Sequence, residues 1–266
     1  MMRERNGEGQ LMLLEDRTIL VMGVANKRSI AWSIAQALHK QGAKLIFTYQ
    51  GERFLKSVQE LVNDSIPNAR LLSCDVTVDE EIDAVMDDIA ANEGVLHGVV
   101  HSLAYARPED LGGAFKDTSR DGFLLAQNIS SYSLVAVARR ASRLMTEGGS
   151  IMAMTYLGGE RVVENYNVMG VAKAALDMSM RYLANELGPQ HIRLNAISAG
   201  PIRTLSAKGV KDFNSILHLF DEKAPLRRPT DPSEVADTAV YLMSDWSRGL
   251  TGEILHIDSG YHILGM

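Results

Sequence analysis

The chain has 266 residues and a formal net charge of −6, with 46% of residues hydrophobic and 23% charged. That balance suits a globular domain with a sizeable core and excludes a disordered chain, a collagen and a coiled coil; the acidic surplus argues against a nucleic-acid partner. A single cysteine, Cys74, excludes an internal disulfide framework and a cysteine-rich zinc site, and the one HxxxH pair among the seven histidines, His97 and His101, falls inside an expected strand rather than on a helix face, so no metal site is expected.

Residues 1–13 read as a flexible polar arm without the apolar stretch of a signal peptide, and the expected compartment is the cytoplasm. No run approaches the ~18–20 apolar residues of a membrane span, so no membrane partner is expected. From there, short apolar runs alternate with amphipathic stretches of helix length. A strand is expected over 18–23, a helix over 30–41 closed by Gly42, a strand over 44–49 and a helix over about 52–63. A strand over 69–74, a helix over 79–92, a strand over 95–102 and one long helix over about 122–147 follow. The pattern closes with a strand over 149–155, a second long helix over about 168–187, a strand over 192–198, a helix over 233–243 and a strand over 252–257. Such alternation implies βαβ units. It predicts one α/β domain over 14–266, a doubly wound, Rossmann-like parallel sheet of about seven strands, with ligands at the carboxyl ends of the strands near the topological switch.

The candidate residues sit at those ends. The first strand runs into Gly23-Val24-Ala25-Asn26-Lys27-Arg28-Ser29-Ile30-Ala31. Gly23 permits a tight turn, and the Ser29 hydroxyl can cap the helix or bond a phosphate oxygen at the helix N-terminus. Lys27 and Ser29 stand where GxGxxG has glycines, so an ordinary capped turn is the competing reading. At the second strand end, Gln50 can bond a ribose but carries no charge for a 2′-phosphate, which favours NADH over NADPH; Arg53 reads as a helix-surface residue. Asp75 could accept from an adenine amino group, with Val76 covering the ring, or could cap the next helix. After the fourth strand comes His101-Ser102-Leu103-Ala104-Tyr105-Ala106, where small residues let a ribose approach and His101 reads as a satisfied structural histidine. Tyr156 ends the fifth strand. Tyr166 and Lys173 are seven residues apart and share a helix face, so the lysine is expected to lower the tyrosine pKa and the pair to steady negative charge on a carbonyl. After the sixth strand, the backbone of Gly200-Pro201-Ile202 could bond a carboxamide, with Thr204 near a pyrophosphate. Residues 205–225 suit a mobile substrate lid with an apolar inner face, the competing reading being an amphipathic helix docked on the body.

Together these residues resemble the short-chain dehydrogenase/reductase superfamily, and more narrowly its divergent branch of bacterial NADH-dependent enoyl-acyl-carrier-protein reductases. The similarity runs from about Leu14 to Gly265. The majority branch carries TGxxxGxG, an NAG after strand four, and a serine with YxxxK. Here stand GVANKRSIA, HSLAYA, Tyr-x6-Lys, and Ala153 at the serine position, with SAGPIRTLS and EILHIDSGYHILGM in agreement. The resemblance implies hydride transfer from NADH to the β-carbon of a trans-2-enoyl thioester borne on acyl carrier protein. It implies Tyr156, Tyr166 and Lys173 as catalytic residues, and Ala106 and Tyr156 at the substrate. It implies cofactor contacts by Gly23, Ser29, Ile30, Gln50, Asp75, Val76, Leu103, Lys173, Ile202, Thr204 and Leu205, and a homotetramer. The competing functions are a keto/hydroxy oxidoreductase of the same superfamily and a non-catalytic nucleotide-binding module.

Overall fold

The structure, a computed structural model, describes residues 12–204 and 213–265. The elements run β1 Thr18–Met22, α1 Ile30–Lys40, β2 Lys44–Tyr49, α2 Glu52–Ser65, β3 Arg70–Ser73, α3 Asp79–Asn92, β4 Gly98–His101, α4 Pro108–Leu111, α5 Arg120–Gln127 and α6 Ser133–Ala141. They continue β5 Gly149–Thr155, α7 Asn167–Leu187, β6 Ile192–Ala199, α8 Phe213–Lys223, α9 Pro232–Met243 and β7 Ile254–Ile257. The seven strands pair in parallel in the order β3-β2-β1-β4-β5-β6-β7. This is the expected doubly wound sheet.

Alternate residues of the central strands serve opposite faces. Val21, Phe47, Val100, Met152 and Ile197 pack with Ile34 and Leu38 of α1 and Val235 and Ala239 of α9. Their neighbours Leu20, Ile46, Val99, Ile151 and Ala196 pack with Ile82 and Ile89 of α3, Leu134 and Val137 of α6, and Leu176 and Met180 of α7. Burial on both faces is why these strands read as unbroken apolar runs.

The long helix expected over 122–147 is not one α-helix. Asn128–Tyr132 forms a π-helical turn between α5 and α6, and α6 ends at Ala141. Two serines of this stretch bond the end of β4 and the segment that follows it. The Ser130 hydroxyl accepts from the Tyr105 N–H at 2.9 Å and donates to the Tyr105 carbonyl at 3.1 Å. The Ser133 hydroxyl donates to the Ile129 carbonyl at 2.6 Å and lies 2.8 Å from His101 Nε2. The two hydroxyls thus hold the end of β4 and the segment after it at two points, His101 and Tyr105. Much of the uncharged 124–138 run is spent inside the chain, where Leu134, Ala136, Val137 and Ala138 are buried, while Leu124 and Tyr132 are exposed. Sequential neighbours in the sheet part company between β1 and β4, so the loops leaving β1, β4, β5 and β6 converge on one cleft.

Candidate active site

The cleft floor is the turn after β1. Gly23 has φ 101°, and a Cβ there would stand 2.1 Å from the Ser102 carbonyl oxygen at the end of β4. Only glycine lets the two strand ends meet. Ser29 stands at the N-cap of α1, yet its side chain makes no bond into the helix. Its hydroxyl accepts from the N–H groups of Ala25 and Asn26 at 3.0 and 3.1 Å and so shapes the turn. Ile30 opens α1, whose first N–H groups are left for an anion.

Gln50 and Asp75, drawn from separate strand ends, meet: Gln50 Nε2 donates to Asp75 Oδ2 at 2.8 Å. Asp75 Oδ1 accepts from the N–H and the hydroxyl of Thr77 at 2.9 and 2.7 Å. Burial acts to raise the Asp75 pKa, and the bonds from Thr77 and Gln50 outweigh it and hold the carboxyl below its ordinary value. The N-cap of α3 is Val78, so the capping alternative for Asp75 does not hold. Val76 is buried beside it. Arg53 is exposed with its guanidinium 5.4 Å from the Phe54 ring, as befits a helix-surface residue.

At the β4 end His101 is fully buried. Because Ser133 gives its proton to Ile129, His101 Nε2 donates to Ser133. Burial, aided by the charge of Lys173, pushes its pKa down to about 3, so it is a neutral structural residue. Leu103 packs on the α3–α6 side of the sheet. Ala106 is buried in a small cluster with Ala126, Val168, Met169 and Ala172, against which Tyr166 packs.

Tyr156 leaves β5 and meets Tyr166 edge to face, ring centroids 4.9 Å apart at 70°. The turn between them explains the contact. A Cβ on Gly158 would come within 2.5 Å of the Tyr166 ring and 3.2 Å of the Tyr156 ring, and one on Gly170 within 2.7 Å of the Gly158 carbonyl oxygen. Lys173, buried on α7, donates from Nζ to the Met154 carbonyl at 2.7 Å. Burial brings its pKa down to about 8 against the opposing pull of Asp177. The expected lowering of the tyrosine pKa is not found. Burial raises the Tyr166 phenol above its ordinary value, Tyr156 and Asp177 add to the rise, and the lysine charge is directed at a backbone carbonyl instead. Burial likewise pushes Tyr156 up to about 12. The site therefore presents neutral phenols as hydrogen-bond donors rather than a poised phenolate.

Ile202 is buried, and the Thr204 N–H donates to its carbonyl at 2.8 Å. Leu205 and the first part of the expected lid lie outside the described residues. The rest is α8, docked on the body: Leu217 and Phe220 are buried, and Phe220 stacks on Tyr261 with centroids 4.2 Å apart. Sequence reasoning missed Ser130, Gly158, Gly159 and Asp177. Gly158-Gly159 beside a candidate tyrosine was the one signal available, since adjacent glycines at a strand end mark close backbone approach.

The sequence model of the family described as Enoyl-(Acyl carrier protein) reductase matches residues 23–262. The chain belongs to this enoyl reductase family. It is 64% identical over 254 residues to the enoyl-[acyl-carrier-protein] reductase [NADH] FabI of Bacillus cereus, covering 95% of this chain and 99% of that one. It is 56% identical over 255 residues to the enzyme of Staphylococcus aureus, which is named for NADPH, covering 96% and 100%. A crystal structure of the Bacillus cereus reductase with NADP+ and an indole naphthyridinone superposes with a TM-score of 0.95 at 63% identity, over 96% of this reductase and 100% of that chain.

Proposed function

We propose that this chain uses NADH to reduce the double bond of a trans-2-enoyl thioester, carried on acyl carrier protein, in the last step of fatty-acid elongation. The observation that carries the proposal is the edge-to-face packing of Tyr156 on Tyr166 beside the end of β5, where Lys173 bonds the Met154 carbonyl. The cleft fits the cofactor: a Gly23 side chain would fill the floor, and Gln50 and Asp75 together present hydrogen-bonding groups without a positive charge. Gly23, Ser29, Ile30 and Thr204 would hold the pyrophosphate, Gln50 a ribose, Asp75 and Val76 the adenine. Leu103, Ile202, Leu205 and Lys173 would hold the nicotinamide end. The Bacillus cereus and Bacillus subtilis relatives, at 64% and 62% identity, are both named for NADH, which supports that cofactor here.

When bound, NADH supplies the hydride received by the β-carbon. Negative charge then collects on the thioester oxygen, and the neutral Tyr166 phenol donates to it. Such a donor stabilises the developing charge without any proton leaving the phenol beforehand. Lys173 anchors the ribose hydroxyls. Tyr156 and Ala106 shape the acyl site, and protonation at the α-carbon completes the reduction. A keto/hydroxy oxidoreductase on this fold would use a serine on β5; that position holds the fully buried Ala153.

Segment 205–225 would act as the substrate lid, and residues 1–13 as a flexible arm on the single domain 14–266. The carrier would dock near the lid. Of the arginines nearest it, Arg203 bonds Asn214, and Arg228 bonds both oxygens of Glu234. We place the enzyme in the cytoplasm; among the described residues no helix is long and apolar enough to cross a membrane. The test is steady-state kinetics of NADH oxidation with crotonyl-CoA and with acetoacetyl-CoA. Turnover of the enoyl thioester alone is expected; turnover of the keto thioester alone would refute the proposal.

A further inference from the structure

Helix α7 buries two charged side chains one helical turn apart, Lys173 and Asp177, each 4% exposed. Residues spaced i,i+4 stand on one face. That face lies against the turn that follows Tyr156: a Cβ on Gly159 would come within 2.8 Å of Asp177 Oδ2 and 3.0 Å of both Ala174 N and the Lys173 carbonyl carbon. The turn, the lysine and the carboxylate therefore share one packed surface. Asp177 has no part in the chemistry above, and a buried carboxylate is costly unless charge or donors compensate it.

The groups around it define its role. Burial pushes the Asp177 pKa up to about 6, and Glu160, beyond the Gly159 turn, adds to the rise; the Thr155 hydroxyl on β5 and the charges of Lys173 and Arg181 on α7 oppose it. Glu160 is itself engaged by His256 of β7, Nε2 to Oε1 2.7 Å. On the other side, Asp177 is the charge that supports the Lys173 ammonium against burial, while His101 of β4 faces it as a neutral ring. The phenol of Tyr166, which feels the Asp177 charge, completes the surroundings.

We propose that Asp177 is a positioning residue that acts through Lys173: its buried carboxylate keeps the ammonium charged at the place where Nζ, bonded to the Met154 carbonyl, can anchor the cofactor ribose. The inference rests on Lys173 being that anchor. Its sign is fixed. Lys173 loses its charge as pH rises through its pKa, and without the carboxylate that loss moves to lower pH. NADH affinity, read by fluorescence titration, is therefore expected to fall at least about fivefold in Asp177→Asn relative to wild type at pH 8, and to stay within about twofold at pH 6. Asp177→Glu is expected to restore the wild-type pH dependence. Equal weakening at both pH values would overturn the inference, because a purely structural role acts at both. Wild-type protein that binds no NADH at either pH would overturn the cofactor site and the inference with it. Should Asp177→Asn not fold, NMR of wild-type protein labelled at lysine Cε gives the reading, with the Lys173 signal assigned through Lys173→Arg. Two titration steps are expected, the lower one set by Asp177; a single step would overturn the inference.

Discussion

Tyr166, Lys173 and His101 crowd the same strand ends, and their protonation states follow from burial more than from one another. Tyr166→Phe keeps the ring that packs on Gly158 and removes only the donor. It is expected to lower kcat about 10²–10³-fold and to leave NADH affinity largely intact. Lys173→Ala is expected to weaken both, as steady-state kinetics and fluorescence titration would reveal; full activity in that variant would remove the anchor role. His101 gives a stability test. Its folded pKa of about 3 lies below its ordinary 6.5. Between those values the unfolded chain binds the extra proton, so stability is lost as pH falls from 6.5, by up to about 1.4 kcal/mol per pH unit. His101→Gln retains an N–H toward Ser133 and cannot titrate. Urea unfolding at pH 7 and pH 5.5 should show a loss about 1 kcal/mol smaller in the variant; an equal loss would mean that the imidazole protonates freely in the folded state. The Tyr166–Lys173 pair was singled out by its spacing together with its place after the fifth strand. Asp177 was not, because an aspartate four residues after a lysine on a helix reads equally well as a surface ion pair, and only the third dimension buries it.

At the scale of elements, the π-helical turn ties the segment that carries Ala106 to the body. The Ser130 hydroxyl spans both backbone groups of Tyr105, next to Ala106. Removing it leaves that N–H and carbonyl without their partner, a loss of about 1–3 kcal/mol. Ser130→Ala is therefore expected to raise KM for a short enoyl thioester several-fold while NADH affinity holds; an unchanged KM would show that the loop is held by other contacts. The sequence did not disclose this device. Its partners are 25 residues apart, and in a run of small uncharged residues nothing marks Asn128–Tyr132 as other than continuous helix. Strand cores were legible because burial on both faces demands β-branched and apolar runs. Strand ends were not: Val95-Leu96-His97 continues the apolar run, yet pairing begins only at Gly98.

At the scale of the whole molecule, the alternation of strands and helices was enough to give the parallel sheet. What the single chain leaves uncovered bears on assembly. Along α5 to α7, Leu124, Tyr132, Val171, Met178 and Tyr182 are exposed, with Tyr182 at 74%. Exposed apolar side chains grouped on one side of a molecule mark an interface. We expect a homotetramer that uses this side, and the double variant Met178→Glu, Tyr182→Glu should sediment as a smaller species; an unchanged sedimentation coefficient would place the interface elsewhere. All these expectations converge on one geometry, the neutral phenol of Tyr166 against the substrate oxygen. A crystal structure with NAD+ and a bound enoyl thioester measures it directly. The Tyr166 Oη is expected about 2.5–3.0 Å from the thioester carbonyl oxygen, and a phenol turned out of the cleft, or more than about 3.5 Å away with another donor in its place, would contradict the account.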